Sequence, residues 1–376
     1  MSLPAVWGSG IKWGSFKWGQ TTTTGRPTLY VAIDGTLRGE ASAARFRLGR
    51  SGWFDVLGPN SASIDLVGFV DVPPNSEVVV SCGAGVLWKG YVDGQSTTYS
   101  VHDAADRTTI NATDIVGRLG KSVKAPGKVY SSGDLIARWF PVGLYGDLVA
   151  VAEQYLADFA PGLGITVELG TSTGSLPSLT DWYFNAPGDT PKKTLLELLN
   201  KAEESSNAMM TMQPDGTLLI VPRAPSGLSS VSMVDVSPGD STWVRGRDTV
   251  INRWLLEQPA YDDNTVLDTT DDTSRTAYGE QSYEVQDYLC TSASHFGSSF
   301  RSALASPRWK ATYTKPIADL SDPWLLLAPL SWVKDGSDIF QVMSVEHDVT
   351  LSGWQVTLEL DASQDALNGA SEPTPA

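Results

Sequence analysis

Apolar and polar positions alternate in short runs through most of the chain, and Gly, Pro, Asn, Asp and Ser interrupt the runs at brief intervals. Seven such runs crowd the first third: TLYVAI (28–33), ARFRLG (44–49), SIDLVGFV (63–70), SEVVVSC (76–82), GVLWKGYVDG (85–94), TYSVHDA (98–104) and RTTINATD (107–114). A period of two sends successive side chains to opposite faces of a strand, so each run can bury one face and wet the other. So many short strands in so little chain predict a barrel or a sandwich.

The period changes after residue 121. In DLVAVAEQYLADF (147–159), Leu148, Val151, Ala152, Tyr155, Leu156 and Phe159 recur at helical spacing, which predicts an amphipathic helix. A second helix is expected over 190–207, with Thr190 as cap, Pro191 at the first helical position, and Leu195, Leu198, Leu199 and Ala202 as its apolar face. Two β runs follow around a Pro214-Asp215-Gly216 turn. β texture returns at Val250, loosens into the polar, acidic stretch 259–276, which reads as a mobile loop, and resumes from 308 to 360 after a short helix carried by Phe296, Phe300, Ala303 and Leu304. The chain is thus mainly β with an α+β insertion. Its expected parts are a Trp-Gly arm (1–27), a first β domain (28–121), an α+β domain (122–226), a second β domain (227–361) and a disordered tail (362–376).

Composition sharpens this picture by exclusion. The 376 residues are 41% hydrophobic, enough for real cores, and no run approaches the roughly 20 apolar residues of a membrane-spanning helix. The amino terminus lacks the basic-then-apolar order of a secretory signal. With 43 acidic against 27 basic residues the net charge is −16, which opposes general nucleic-acid binding. The charge is polarised: residues 1–50 hold seven Lys/Arg and two Asp/Glu, whereas 254–290 hold nine acidic residues and only Arg275. Such asymmetry suits head-to-tail packing or a differently charged partner, and equally a solvated acidic face. Cys82 and Cys290 are far apart and belong to no metal-binding spacing, so both read as buried thiols.

Catalytic signatures fail one by one. GTSTG (170–174) matches a nucleophile elbow with Ser172 in the nucleophile position, but the SLPSLTDWYF that follows lacks the helix which that chemistry needs. His102, His295 and His347 are isolated, with no ligand spacing. His102 and His347 each precede an aspartate, yet neighbours in a strand face opposite ways. Asp262, Asp263, Asp268, Asp271 and Asp272 could hold a hard cation but lack the glycine and terminal glutamate of an EF-hand loop. No enzyme, metal or cofactor is expected. In the arm, Trp7, Trp13 and Trp18 alternate with Lys12 and Lys17; we read the tryptophans as interface anchors in a groove of a neighbouring subunit or of the chain's own barrel.

The order of segments carries more information than any single motif. LWKGYVDG (87–94), TYSVHDAADRTTINATDIVGRLGKS (98–122), TLLELLNKAEESSNAMMTMQPDGTLLIVPRA (194–224), VINRW (250–254), AYGEQSYEV (277–285) and FQVMSVEHDVTLSGWQVTLELD (340–361) together resemble the tail hub, or minor tail, proteins of long-tailed bacteriophages. These are similar in plan to the baseplate hub of contractile-tailed phages and to the N-terminal part of tail-associated lysins. The resemblance spans about residues 28–361. It implies two tail-tube-like β-barrel domains separated by a small α/β domain, a homotrimer that ends the tail tube, and contacts with the distal tail ring, the tape measure protein and tip or fibre proteins. It further implies a place at the virion tail tip after assembly in the host cytoplasm, and a lumen through which DNA passes on its way out without sequence-specific binding. A lytic module is not expected in the 15 residues after Asp361. Two other functions compete: a carbohydrate- or receptor-binding tail protein, suggested by thirteen tryptophans, and a serine hydrolase using Ser172.

In the last of those segments a Ser352-Gly353 turn would pair Leu351 with Trp354, Val349 with Val356, His347 with Leu358 and Val345 with Leu360, with Asp348 on the other face opposite Thr357. His347 is then a strand residue rather than half of a catalytic pair.

Overall fold

The computed structural model describes residues 27–99, 106–121, 148–170, 193–223, 232–257, 265–286, 288, 290, 293–336 and 338–363, with the backbone alone of 123–124, 127–131, 134–138, 158–159 (Phe159 of the expected helical stripe included), 185–186 and 362–363. Six strands come first: β1 (Tyr30–Ile33), β2 (Thr36–Gly49), β3 (Ser61–Val67), β4 (Glu77–Cys82), β5 (Gly85–Thr98) and β6 (Arg107–Asp114). They pair in the order β1-β4-β5-β6-β3-β2, and β2 pairs back to β1, so the ring is a closed barrel. Closure leaves none of the six as a free edge along its paired length. Asp34 and Gly35 make the β1–β2 turn with φ of 48° and 72°, the doubly left-handed bend that Asp-Gly adopts in tight hairpins. Alternation sets the inner face; in β4, Val78, Val80 and Cys82 are buried and the residues between them are not.

α1 (Ile115–Leu119) leads from β6 into the second region, where β7 (Val123–Lys124), β8 (Gly127–Ser131) and β9 (Asp134–Arg138) precede α2 (Leu148–Phe159) and β10 (Val167–Leu169). β11 (Asn185–Ala186), β12 (Lys193–Thr194), α3 (Leu195–Ser206), β13 (Ala208–Met212) and β14 (Leu218–Pro222) complete it. The stripe expected on α2 is its buried face: Leu148, Val151, Ala152, Tyr155 and Leu156. α3 begins later than its sequence suggested. Its cap is Thr194, not Thr190, because Glu197 three residues on closes a capping box: Glu197 N–H donates to Thr194 Oγ1 at 3.1 Å and Thr194 N–H to Glu197 Oε2 at 2.5 Å.

β15 (Val234–Asp235) and β16 (Asp240–Arg245) open a second large sheet. The chain then leaves it to form β17 (Arg253–Glu257), β18 (Thr265–Thr270), α4 (Asp272–Tyr278), β19 (Ser282–Val285) and α5 (Ser298–Leu304). It returns as β20 (Trp309–Pro316), β21 (Trp332–Asp335), β22 (Asp338–Thr350) and β23 (Gly353–Ser363). The order is β15-β21-β22-β23-β20-β16, and its two outermost strands are consecutive in sequence, joined by a turn in which Gly239 N–H donates to Val236 O at 3.0 Å. A sheet whose two edges are tied by one turn has to roll up, so this is a second barrel with a covalent seam.

β2 links the two barrels. Its first half closes the first ring against β1, and its second half pairs with β22 from Ala44↔Val349 to Gly49↔Ser344, so one twelve-stranded sheet runs through both. Gly49 ends the seam with φ of 119°, and a β-carbon there would lie 2.2 Å from Met343 O; only glycine lets the backbones approach so closely. The barrels share one apolar core, which includes Phe46, Ile64, Trp88, Tyr313, Val345 and Leu358.

The second core differs from the sequence partition at 226/227. Trp254, Tyr283, Phe296 and Phe300 belong to a core with residues of α1, α2, α3 and β13, to which the second barrel adds Met343 of β22, so this core takes chain from both sides of residue 227. The stretch 259–276 also differs from the expected loop, since 265–270 is strand β18 and α4 starts at Asp272. Its polarity is local chemistry: Asp271 accepts from Ser274 N–H at 2.9 Å to cap α4, and Asp272 pairs with Arg275 at 2.8 Å.

The β22–β23 hairpin turns at Leu351-Ser352 rather than at Ser352-Gly353, pairing Val349 with Trp354, His347 with Val356, Val345 with Leu358 and Asp348 with Gln355. Leu351, expected on the apolar face, is 58% exposed in the turn. The slip is two residues, an even number, so the side chains that remain in the ladder, Val345, His347, Asp348, Val349 and Trp354 among them, keep their predicted faces.

Candidate functional site

The seam has two chemically opposed faces. Inside, the His347 ring stacks on Phe46 at 4.8 Å, and Trp354 Nε1–H donates to His347 Nδ1 at 3.1 Å. Desolvation pushes the His347 pKa down to about 3, so the imidazole is neutral and serves as a buried acceptor. Outside, Arg45 pairs with Glu346 at 2.7 Å, Arg47 with Glu359 at 2.5 Å, and Ser344 Oγ donates to Glu359 Oε2 at 2.7 Å. Asp348 lies across the sheet from His347, and no dyad forms.

Where the barrels meet the second core, the loop after β2 carries buried charge. Arg50 donates to Glu203 Oε1, to Gly52 O at 2.9 Å and to Trp53 O at 3.3 Å. Glu203, on α3, also accepts from Met210 N–H at 3.0 Å and Leu57 N–H at 3.4 Å. Arg223 lies 4.0 Å from the same carboxylate, donates to Trp53 O at 2.9 Å and stacks over Phe54 at 4.8 Å. Burial lowers the Arg223 pKa. One carboxylate thus holds two guanidiniums and ties β2 of the first barrel to α3 and to the residue after β14. Isolated, any of these charges would be costly; together they fix one arrangement of the parts.

The sequence did not single out this cluster, although it offered one clue. Glu203 falls four residues after Leu199, on the apolar stripe of α3, where a charge has to find a partner.

Among the described residues one Cys/His neighbourhood invites a catalytic reading. His295 Nε2 lies 2.9 Å from both Ser205 O and Tyr288 Oη, and Cys290 Sγ donates to Ser205 O at 3.2 Å. Burial drives the two groups the wrong way for chemistry: the thiol up to about 12 and the imidazole down to about 4. A thiolate–imidazolium nucleophile needs the reverse. Cys82 and Cys290 are both buried free thiols, as expected.

Ser172, His102, Asp262, Asp263 and the arm tryptophans Trp7, Trp13 and Trp18 lie outside the described residues. Asp268 is exposed, and Asp271 and Asp272 are engaged in capping and pairing. The eight tryptophans whose side chains are described are all buried or half-buried, which leaves the carbohydrate reading without an exposed aromatic platform among them. What this geometry does is hold parts together.

Two solved structures share the architecture. The tail protein from Neisseria meningitidis MC58 is 14% identical, with a TM-score of 0.60 over 93% of this chain and 100% of that one. The 43 kDa tail protein of prophage MuSo2 from Shewanella oneidensis is also 14% identical, with a TM-score of 0.56 over 90% of this chain and 99% of that one. No family model and no curated protein matches the sequence. The likeness is therefore one of fold, along almost the full length of each chain.

Proposed function

We propose that this chain, which has the fold of those tail proteins, is a structural component of a bacteriophage tail: a hub that ends the tail tube at the virion tip. The observation that carries the reading is the two-barrel body, in which β2 and β22 join both barrels into one sheet. Three copies would present six barrels, enough to match a six-fold tube on one side while keeping three-fold symmetry for a tip or fibre on the other. In this reading the neighbours are the distal tail ring, the tape measure protein and tip or fibre proteins. A net charge of −16 suits a ring through which DNA slides without sticking, and a rearrangement of the ring would gate its exit. No catalytic role is assigned. Among the described residues no helix is long and apolar enough to cross a membrane.

Electron cryo-microscopy of assembled particles tests the proposal. The expected density is a ring of three chains contributing six barrels at the end of the tube. Six chains per ring, or a location outside the tail, would refute it.

A further inference from the structure

We propose that copies of this chain join head to tail through two free strand edges, β16 of one copy pairing antiparallel with the end of β5 of the next. The inference rests on an internal repeat and does not depend on the tail reading. The two barrels are one plan used twice. In the first, β2, β3, β6 and β5 lie side by side; in the second, β16, β20, β23 and β22 do so, with the same order along the chain. The match reaches single residues. The paired row Ala44, Ile64, Ile110, Gln95 corresponds to the paired row Ser241, Tyr313, Leu358, Val345. Register shifts after Val92 in β5 and after Val342 in β22. Val92 N–H donates to Ser76 O at 2.9 Å and Asn75 N–H to Val92 O at 2.8 Å; Val342 N–H donates to Ser331 O at 2.9 Å and Leu330 N–H to Val342 O at 2.7 Å. Asn75 and Leu330 even share a left-handed backbone, with φ of 69° and 66°.

The repeat assigns each free edge its partner. Within the chain the seam joins β2 of the first barrel to β22 of the second, from Ala44↔Val349 to Gly49↔Ser344. The same rows in the other two strands are 241–246, in and just after β16, and 94–99, at the end of β5. Among the described residues β16 pairs only with β20, and β5 beyond Val92 pairs only with β6. Each barrel thus uses one of the two seam strands inside the chain and leaves the other as an open edge. Two different edges that fit each other make a head-to-tail contact, which closes into a ring when the rotation allows. In a three-chain ring, seams within and between chains would alternate around six barrels.

Burial marks where the neighbour belongs. Phe46 and Val349 are each 1% exposed in the internal seam, whereas their counterparts Trp243 and Tyr99 are half-buried and 67% exposed. Gly49, which lets β2 come close to β22, corresponds to Gly246, and its partner Ser344 to Gly94, around which a β-carbon would meet nothing within 4 Å. Both backbones are therefore free to approach. Thr242 and Ser96 stand where the internal seam has the Arg45–Glu346 pair, so no charge is left unmatched there. The register that follows is Ser241↔Tyr99, Thr242↔Thr98 and Trp243↔Thr97, with the second residue of each pair on the next copy.

Cross-linking of the full chain tests this. Directly opposed residues of antiparallel strands have Cα atoms about 4.5–5.5 Å apart, within reach of a disulfide. Thr98→Cys and Thr242→Cys, prepared separately, mixed at high concentration and oxidised, should give a reducible dimer at a yield about tenfold or more above that of either variant alone. Both positions are exposed, so neither change threatens the fold, and the native Cys82 and Cys290 are buried. Ser241→Cys faces the other side of β16 and should not link to Thr98→Cys. No dimer in the mixture, or equal linking by Ser241→Cys, overturns the proposal. A three-chain ring in assembled particles with other strands at its contacts would overturn this seam and leave the hub reading standing. Linked chains located outside the tail would support the seam and refute the hub.

Discussion

The seam between the barrels and the charged junction of β2 with α3 both join parts distant in sequence, and they do so by opposite means. At the seam, backbone pairing along β2 and β22 does the joining, the inner face is apolar apart from His347, and charges stay outside in water. At the junction the backbones are not paired, and Arg50, Glu203 and Arg223 make the connection in the interior. A sheet seam is tolerant, because side chains on its wet face can change without unmaking the ladder. A buried ion cluster is selective, because each member is required by the others.

If that contrast is right, the largest effect of a single substitution should come at the junction. Glu203→Ala strands two guanidiniums in the interior and should destabilise by about 3–5 kcal/mol, read from chemical denaturation. A loss below about 1 kcal/mol would mean that water reaches the arginines and that the junction is no more selective than the seam.

The buried histidine supplies the next largest effect, and it can be read by pH alone. The folded His347 pKa of about 3 lies below the ordinary 6.5, so under acid the unfolded chain binds a proton that the folded one refuses. Its contribution is fully present above pH 6.5 and is lost as pH falls towards 3, about 3 kcal/mol of it between 6.5 and 4. His295, lowered to about 4, titrates with the same sign over nearly the same range. His347→Gln keeps an acceptor for Trp354 and should lower the acid-dependent slope in that window by one proton's worth, about 1.4 kcal/mol per pH unit; an unchanged slope would show that His347 is already charged in the folded state.

The same contrast explains what was legible in the sequence. Barrel strands such as β4, the stripe of α2 and the face of His347 follow from local period, and period survives even the two-residue slip of the hairpin. The slip itself was hidden because Ser352-Gly353 has turn-forming residues, whereas the observed register seats Trp354 on the His347 ring, a tertiary contact. Arg50, Glu203 and Arg223 could not be joined in advance, since the first lies 153 residues from the carboxylate it meets. The acidic stretch before α4 misled for the converse reason: Asp271 and Asp272 serve a cap and a local ion pair, and such residues have the composition of a loop.

The smallest effect should come from the wet face of the seam, and its smallness is informative. Arg45 is 68% exposed and Glu346 27%, so their 2.7 Å pair works in high dielectric and gives up side-chain freedom to form. A double-mutant cycle with Arg45→Ala and Glu346→Ala should return a coupling of at most about 1 kcal/mol, shrinking with added salt. A coupling of 2 kcal/mol or more, by that same measure roughly double the ceiling for an exposed pair, would make the outer charges part of what aligns the barrels. The β2–β22 backbone would then not suffice to set their register, and the seam would resemble the junction more closely than its geometry implies.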